Sequence, residues 1–173
     1  MHIIPIGMIA VLLLLLIEMG LAAKWSPFYF NNGIKLYSKH IGINNSQINM
    51  DDLSNLLNTA FKGTGFSPSI LFQRIDDQNI GFREKVLEFS LFSYTPLMHG
   101  KIEVNHSNIK IAGLANWYPI GFVCLWYSFL FPTFRFDMDI MFLLAPVIIF
   151  GVIYFVQSRR YNKIASQLAE INK

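Results

Sequence analysis

The stretch WYPIGFVCLWYSFLFPTFRFDMDIMFLLAPVIIFGVIYFV, residues 117–156, decides the architecture. Two uncharged apolar runs flank a polar turn at residues 133–139, which holds Arg135, Asp137 and Asp139. A bilayer core about 30 Å thick is crossed by about 20 helical residues rising 1.5 Å each. The stretch therefore reads as two membrane-spanning helices, antiparallel neighbours joined by that turn. Pro132 stops the first, Pro146 bends the second, and Gly151 gives the second a point of close packing. Trp117 and Tyr118 suit the headgroup level, where amphipathic rings collect. Trp126 and Tyr127 fall at mid-depth, where an N–H or O–H needs a partner, so both are candidate helix-contact residues together with Gly151.

The composition agrees with a membrane chain. Charged residues are 14% of the 173 residues, against about 25% in soluble domains. Most of them lie between Lys24 and Lys110, so a water-facing module sits among apolar segments. The net charge of +3 arises from basic and acidic residues interspersed along that module. Only Arg159, Arg160 and Lys163 cluster, beside an apolar helix, where basic residues set topology. Nucleic acid is therefore not an expected partner. The single cysteine, Cys124, excludes an intrachain disulfide.

Residues 3–23 form a third apolar run, long enough to span. Leu21, Ala22 and Ala23 resemble a signal-cleavage site, but no Lys or Arg precedes the run, and it exceeds a signal core in length. A retained helix over residues 1–23 is the expectation. Glu18 is its one acid, and it admits two readings. A carboxylate inside an apolar helix can pair with a partner helix or carry a proton; one so near Lys24 can also reach the headgroups.

Residues 24–115 read as a strand-rich α+β or small barrel-like module. Phe28 to Phe30 and Ile34 to Tyr37 read as strands about an Asn31-Asn32-Gly33 turn. Leu53, Leu56, Leu57 and Ala60 recur at helical spacing after Asp51 and Asp52, either of which can cap, and Gly63 and Gly65 end that helix. Two further hairpins turn at residues 76–79 and 105–108, and residues 86–93 alternate as a strand. The expected fold class is thus a membrane protein with three transmembrane α-helices and this module between the first and second. Residues 116–157 form the helical hairpin, and residues 158–173 a basic amphipathic tail in which Ile164, Leu168 and Ile171 share a face.

Reactive groups are few. His99, Glu103 and His106 are the one local set of metal-ligand types, yet the histidines stand seven residues apart across a glycine and a turn, which is not a zinc-ligand spacing. Asp76 and Asp77 are turn residues that would point to opposite faces of a strand. Gly63-Thr64-Gly65 lacks phosphate-loop spacing, and no serine has a nucleophile context. No catalytic residue and no cofactor is implied. Lys24, Lys110, Arg159, Arg160 and Lys163 on one side, against Arg135 on the other, orient the module and tail to the cytoplasm and the N-terminus outside. The expected function is a non-catalytic accessory or scaffold subunit of a membrane complex, partnered by the bilayer and by other membrane proteins or a second copy. A lipid-handling or transport-linked protein is the alternative, with Glu18, Trp126 and Tyr127 lining the contact, and a membrane-bound enzyme the third.

Overall fold

The computed structural model describes residues 3–42, 49–63, 69–85, 96–105, 108–130 and 140–171. Along the chain the elements are α1 (Ile3–Ala23), α2 (Pro27–Asn31), β1 (Lys35–Gly42), α3 (Met50–Ala60) and β2 (Ile70–Arg74). They continue with β3 (Asn79–Glu84), β4 (Met98–Val104), β5 (Asn108–Ala115), α4 (Trp117–Leu130) and α5 (Ile140–Ile171).

Local turn chemistry builds the sheet. Asp76 accepts from the Gln78 N–H and the Asn79 amide at 2.9 Å each, closing the β2–β3 hairpin. Asn105 N–H donates to Asn108 O at 2.9 Å and closes β4–β5. All pairings are antiparallel in the order β1-β5-β4-β3-β2, which places the first strand of the chain at the far edge beside the last. Phe82 lies opposite Gly100, and its ring occupies the space a Cβ there would need. Only glycine fits at residue 100.

Ile80, Phe82, Ile102, Ile109 and Ile111 point to one face, where Leu53 and Leu57 of α3 and Tyr161, Ile164 and Leu168 of α5 complete the core. Asn49 caps α3 by accepting from the Asp51 N–H at 3.0 Å, two positions before the first of the aspartates expected from the sequence. From the same helix Asn58 reaches the outer edge of β2, donating to Phe72 O and accepting from Phe72 N–H, both at 2.8 Å. Its side-chain amide thus stands where a further strand would pair.

Several sequence expectations change. Phe28 to Phe30 are helical, not extended: Pro27 occupies the start of α2, where its fixed φ favours a helix and its missing N–H is not needed. The apolar run instead continues, as the spacing of the tail implies, into the amphipathic segment, giving one helix of 32 residues unbroken at Pro146 and Gln157. The strand read at residues 86–93, Gly65 and His106 lie outside the described residues.

Three spans were expected. Among the described residues one helix, Ile140–Ile171, is long and apolar enough to cross a membrane. Gly7–Ala23 is a shorter apolar helix, and α4 has 14 residues. In the most apolar 18-residue window of α5, 11% of the residues are buried. The side chains of Ile148, Ile149 and Val152 are exposed there, as are Leu12, Leu13 and Leu16 on α1.

Candidate functional site

Where the apolar helices meet the sheet, the molecule buries its polar side chains. The chain leaves α1 and reverses over Lys24, Trp25 and Ser26. Trp25 takes φ 52°, among the described residues the one non-glycine with positive φ. A bulky residue there is strained by roughly 1–3 kcal/mol. The Trp25 ring is held by stacking on Phe30 at 5.3 Å and by the Arg83 guanidinium 5.1 Å above it. This tight reversal brings Tyr29 back beneath Glu18.

Glu18 does not face the headgroups. It is 3% exposed and turned into the protein. One carboxylate oxygen accepts from Tyr29 Oη–H at 2.8 Å and the Trp117 N–H at 2.6 Å; the other accepts from the Tyr118 N–H at 2.9 Å. Trp117 and Tyr118 open α4, whose first N–H groups lack partners within the helix and whose dipole is positive there. α1 therefore supplies the cap of α4. The two helices run antiparallel in contact, with Leu125 packed over Gly7 and Leu14 over Gly121.

Asn116, the residue before α4, has its side chain committed elsewhere. Its Nδ2 donates to Pro96 O at 2.7 Å, while its Oδ1 lies 3.0 Å from Tyr29 Oη and 2.9 Å from His99 Nδ1. The other ring nitrogen of His99, Nε2, lies 3.1 Å from Tyr29 O, and the Tyr29 and His99 rings stack at 4.0 Å. Tyr118 Oη–H also donates to Pro96 O, at 2.8 Å. Burial lowers the His99 pKa from 6.5 to about 4, against the opposing pull of its hydrogen bonds to Asn116 and Tyr29 O. Burial first, then the Glu18 carboxylate, raise the Tyr29 hydroxyl well above the usual phenol range.

A second polar joint fixes α5. Gln157 is fully buried; its Oε1 accepts from the N–H groups of Leu97 and Met98 at 2.9 and 3.2 Å, and its Nε2 donates to Met98 O. Tyr161 Oη–H donates to the same carbonyl at 3.1 Å, and Arg160 pairs with the buried Glu84 at 2.9 Å. The start of β4 is thus gripped from both sides, by Asn116 and Tyr118 at Pro96 O on one and by Gln157 and Tyr161 on the other.

The remaining candidates separate. Trp126 Nε1–H donates to Phe142 O at 3.0 Å and Tyr127 Oη–H to Leu143 O at 2.9 Å, so both join α4 to α5. Gly151 has no neighbouring atom within 4 Å of where its Cβ would stand. Glu103 is bridged by Lys101 at 2.7 Å and Lys110 at 3.2 Å, and hydrogen bonds to the two lysines lower its pKa against the opposing effect of burial. It stands four residues along β4 from His99, about 13 Å at strand spacing. The structure does not bring them together as ligands, and His106 lies outside the described residues. Among the described residues no three His, Cys, Asp or Glu side chains converge on a metal position.

A wholly apolar cleft of about 290 Å³ opens between α4, α5 and the start of β1, lined by Ile34, Leu36, Val123, Cys124 and Phe150 among others. Neither Glu18, Trp126 nor Tyr127 lines it. The sequence singled out Glu18 and His99 separately and passed over Tyr29, Asn116 and Gln157. The available signal was chemical: a carboxylate deep in an apolar run needs donors, and a helix beginning at Trp117 offers them. No family model matches the chain, and no curated protein or solved structure matches it either.

Proposed function

We propose that this chain is an integral membrane protein that holds its five-stranded sheet rigidly at the bilayer as a docking module, serving as an accessory or scaffold subunit rather than a catalyst. The observation that carries the reading is the pair of polar joints. Glu18 with Asn116, and Gln157 with Tyr161, tie three apolar helices to the same sheet: α1 and α4 at their ends, α5 at its middle. A flexible tether would suffice for an enzyme that only needs to stay near a membrane; a fixed mount suits a module whose orientation matters to a partner.

In this proposal α1, α4 with the residues after it, and the first half of α5 all cross the bilayer, the N-terminus lies outside, and the sheet lies in the cytoplasm. Lys24, Arg159, Arg160 and Lys163 near the domain ends of the helices support that orientation, Arg135 being the one basic residue in the opposite turn. Gln78, exposed in the β2–β3 turn, tests it. In a Cys124→Ser background, Gln78→Cys is expected to react with an impermeant maleimide only after the membrane is opened; reaction in intact cells overturns the orientation. Mild-detergent extraction tests the role. A stoichiometric membrane-protein partner or a second copy is expected, and a solitary monomer in every mild detergent overturns it.

The apolar cleft favours a second reading, in which the protein handles lipid. At about 290 Å³ it is near the lower limit of ligand pockets, about 300 Å³. Stoichiometric lipid in the purified protein, lost on Val123→Trp, is the result that reading requires; lipid-free protein eliminates it.

A further inference from the structure

The hydrogen count at the Glu18–Tyr29–His99–Asn116 junction does not close. Five contacts link these groups: Tyr29 Oη to Glu18, Tyr29 Oη to Asn116 Oδ1, His99 Nδ1 to Asn116 Oδ1, His99 Nε2 to Tyr29 O, and Asn116 Nδ2 to Pro96 O. Each needs one hydrogen between its heavy atoms. Tyr29 Oη has one to give. A neutral imidazole has one, and both of its nitrogens face oxygen acceptors. With Glu18 ionised and His99 neutral, two of the five contacts have no hydrogen, both of them at Asn116 Oδ1.

Two changes that keep Glu18 a carboxylate each repair all but one contact. Adding a proton to His99 Nδ1 makes both ring nitrogens donors, to Asn116 Oδ1 and Tyr29 O. The 3.0 Å approach of Tyr29 Oη to Asn116 Oδ1 is then the single bare contact. Alternatively the Asn116 amide turns over in place, so its NH₂ donates to both His99 Nδ1 and Tyr29 Oη. The bare contact then moves to Pro96 O, where two carbonyl oxygens face each other at 2.7 Å. Neither arrangement is perfect, and they differ by one proton.

We infer that this junction is a proton-binding site: His99 takes up one proton from water, and its protonation sets which way the Asn116 amide points. In the loaded state Pro96 O is bound by Asn116 and Tyr118; in the empty state it keeps only Tyr118. The proton enters the Nδ1 lone pair, and the local charge rises from that of Glu18 alone to a balanced Glu18 and imidazolium pair. A cavity of about 50 Å³ lined by Glu18, Tyr29, Asn116 and Tyr118 adjoins the network. It has room for a water, which needs about 10–15 Å³ of such volume.

Two charged groups flank the junction: Glu18 from α1 accepts from Tyr29 Oη–H, and Arg83 from β3 lies over the Trp25 ring. The phenols of Tyr29, Tyr118 and Tyr161 reach the junction from α2, α4 and α5, and Lys101 on β4 is turned to Asn31. The site shares the Glu18–Asn116 joint with the proposed membrane role, but its test reads protonation and not partner binding or topology.

The test is NMR of the full chain in detergent micelles, with ¹⁵N-labelled histidine and asparagine, His99 being assigned by its loss in His99→Gln. From about pH 8 downward, His99 is expected to start as the Nε2–H tautomer and gain its Nδ1 hydrogen at a midpoint below the ordinary 6.5. The Asn116 side-chain amide resonances are expected to move with the same midpoint. An Nδ1–H tautomer at high pH, Asn116 resonances that ignore the titration, or loss of the folded spectrum before His99 titrates each overturns the inference. Asn116→Asp cannot turn a donor toward His99, so its midpoint should rise by at least one unit, about tenfold in proton affinity. Tyr29→Phe keeps the ring packing and removes the atom left bare in the loaded state. Its midpoint should also rise, and an unchanged or lowered midpoint in Tyr29→Phe counts against the coupling even if Asn116→Asp does not fold.

Discussion

The two halves of α5 share one axis and opposite surroundings. Before Gln157 most of its aliphatic side chains point outward, Ile148, Ile149 and Val152 all being more than half exposed, while Phe150 and Ile153 pack against the core. After Gln157 the apolar residues turn inward, and Tyr161, Ile164 and Leu168 are each buried to within 1% of completely in the sheet core. Apolar content is therefore a poor guide to burial along this helix. What separates the halves is the spacing: the first is apolar all round, the second carries one apolar stripe with Asn162, Lys163 and Gln167 between. A helix of the first kind is complete only in an apolar surrounding; the second kind completes a water-facing fold. Gln157 marks the boundary, and its amide spends every polar atom on β4.

Substitutions that respect or cross this boundary should separate sharply. Leu168→Ala removes a fully buried side chain and is expected to destabilise the protein by about 2–5 kcal/mol. Ile149→Ala in the outer half should change thermal stability in detergent by less than about 0.5 kcal/mol. Equal losses at both sites would dissolve the comparison. The next effect is one of pH at the α1–α4 joint. His99 in the folded chain has its pKa lowered from 6.5 to about 4, so on acidification the unfolded chain takes up the proton first. Stability should therefore fall as the pH drops from about 6.5 to about 4 and level off below, by on the order of 3 kcal/mol in all. Chemical denaturation across that range measures it, and His99→Gln should flatten the slope.

Gln157→Leu, at the boundary itself, leaves the N–H groups of Leu97 and Met98 without their acceptor. A loss of about 1–3 kcal/mol is expected, and faster amide exchange at both residues would locate it. Smallest is Trp126→Phe at the far end of the helix pair, which removes one hydrogen bond to Phe142 O. About 1 kcal/mol or less is expected in thermal denaturation, with the sheet's amide exchange unaltered.

Legibility in the sequence followed the range of the forces involved. The hairpins at residues 76–79 and 105–108 were readable because Asp76, Asn79, Asn105 and Asn108 form their turns with near neighbours. The helix at residues 50–60 was readable from its leucine spacing. Phe28 to Phe30 misled because three adjacent aromatics suit a strand or one turn of helix equally, and the deciding Pro27 lies just outside the triplet. The Ile164 and Leu168 stripe was visible, but not that it would dock on Phe82 and Ile111, since nothing local encodes that register. Least legible was the junction: Tyr29 lies 11 residues from Glu18 and 87 from Asn116, and only the completed fold joins them.

Asn58 has one further consequence. Its amide occupies the free edge of β2 at Phe72, where an incoming strand would find both the N–H and the C=O already bound. At the other end of the sheet, no side chain among the described residues blocks β1 in this way along Ser38 to Ile41, although Tyr154 Oη–H occupies Leu36 O. A strand arriving at the sheet would therefore meet an occupied edge at Phe72 of β2 and, over Ser38 to Ile41 of β1, an unoccupied one.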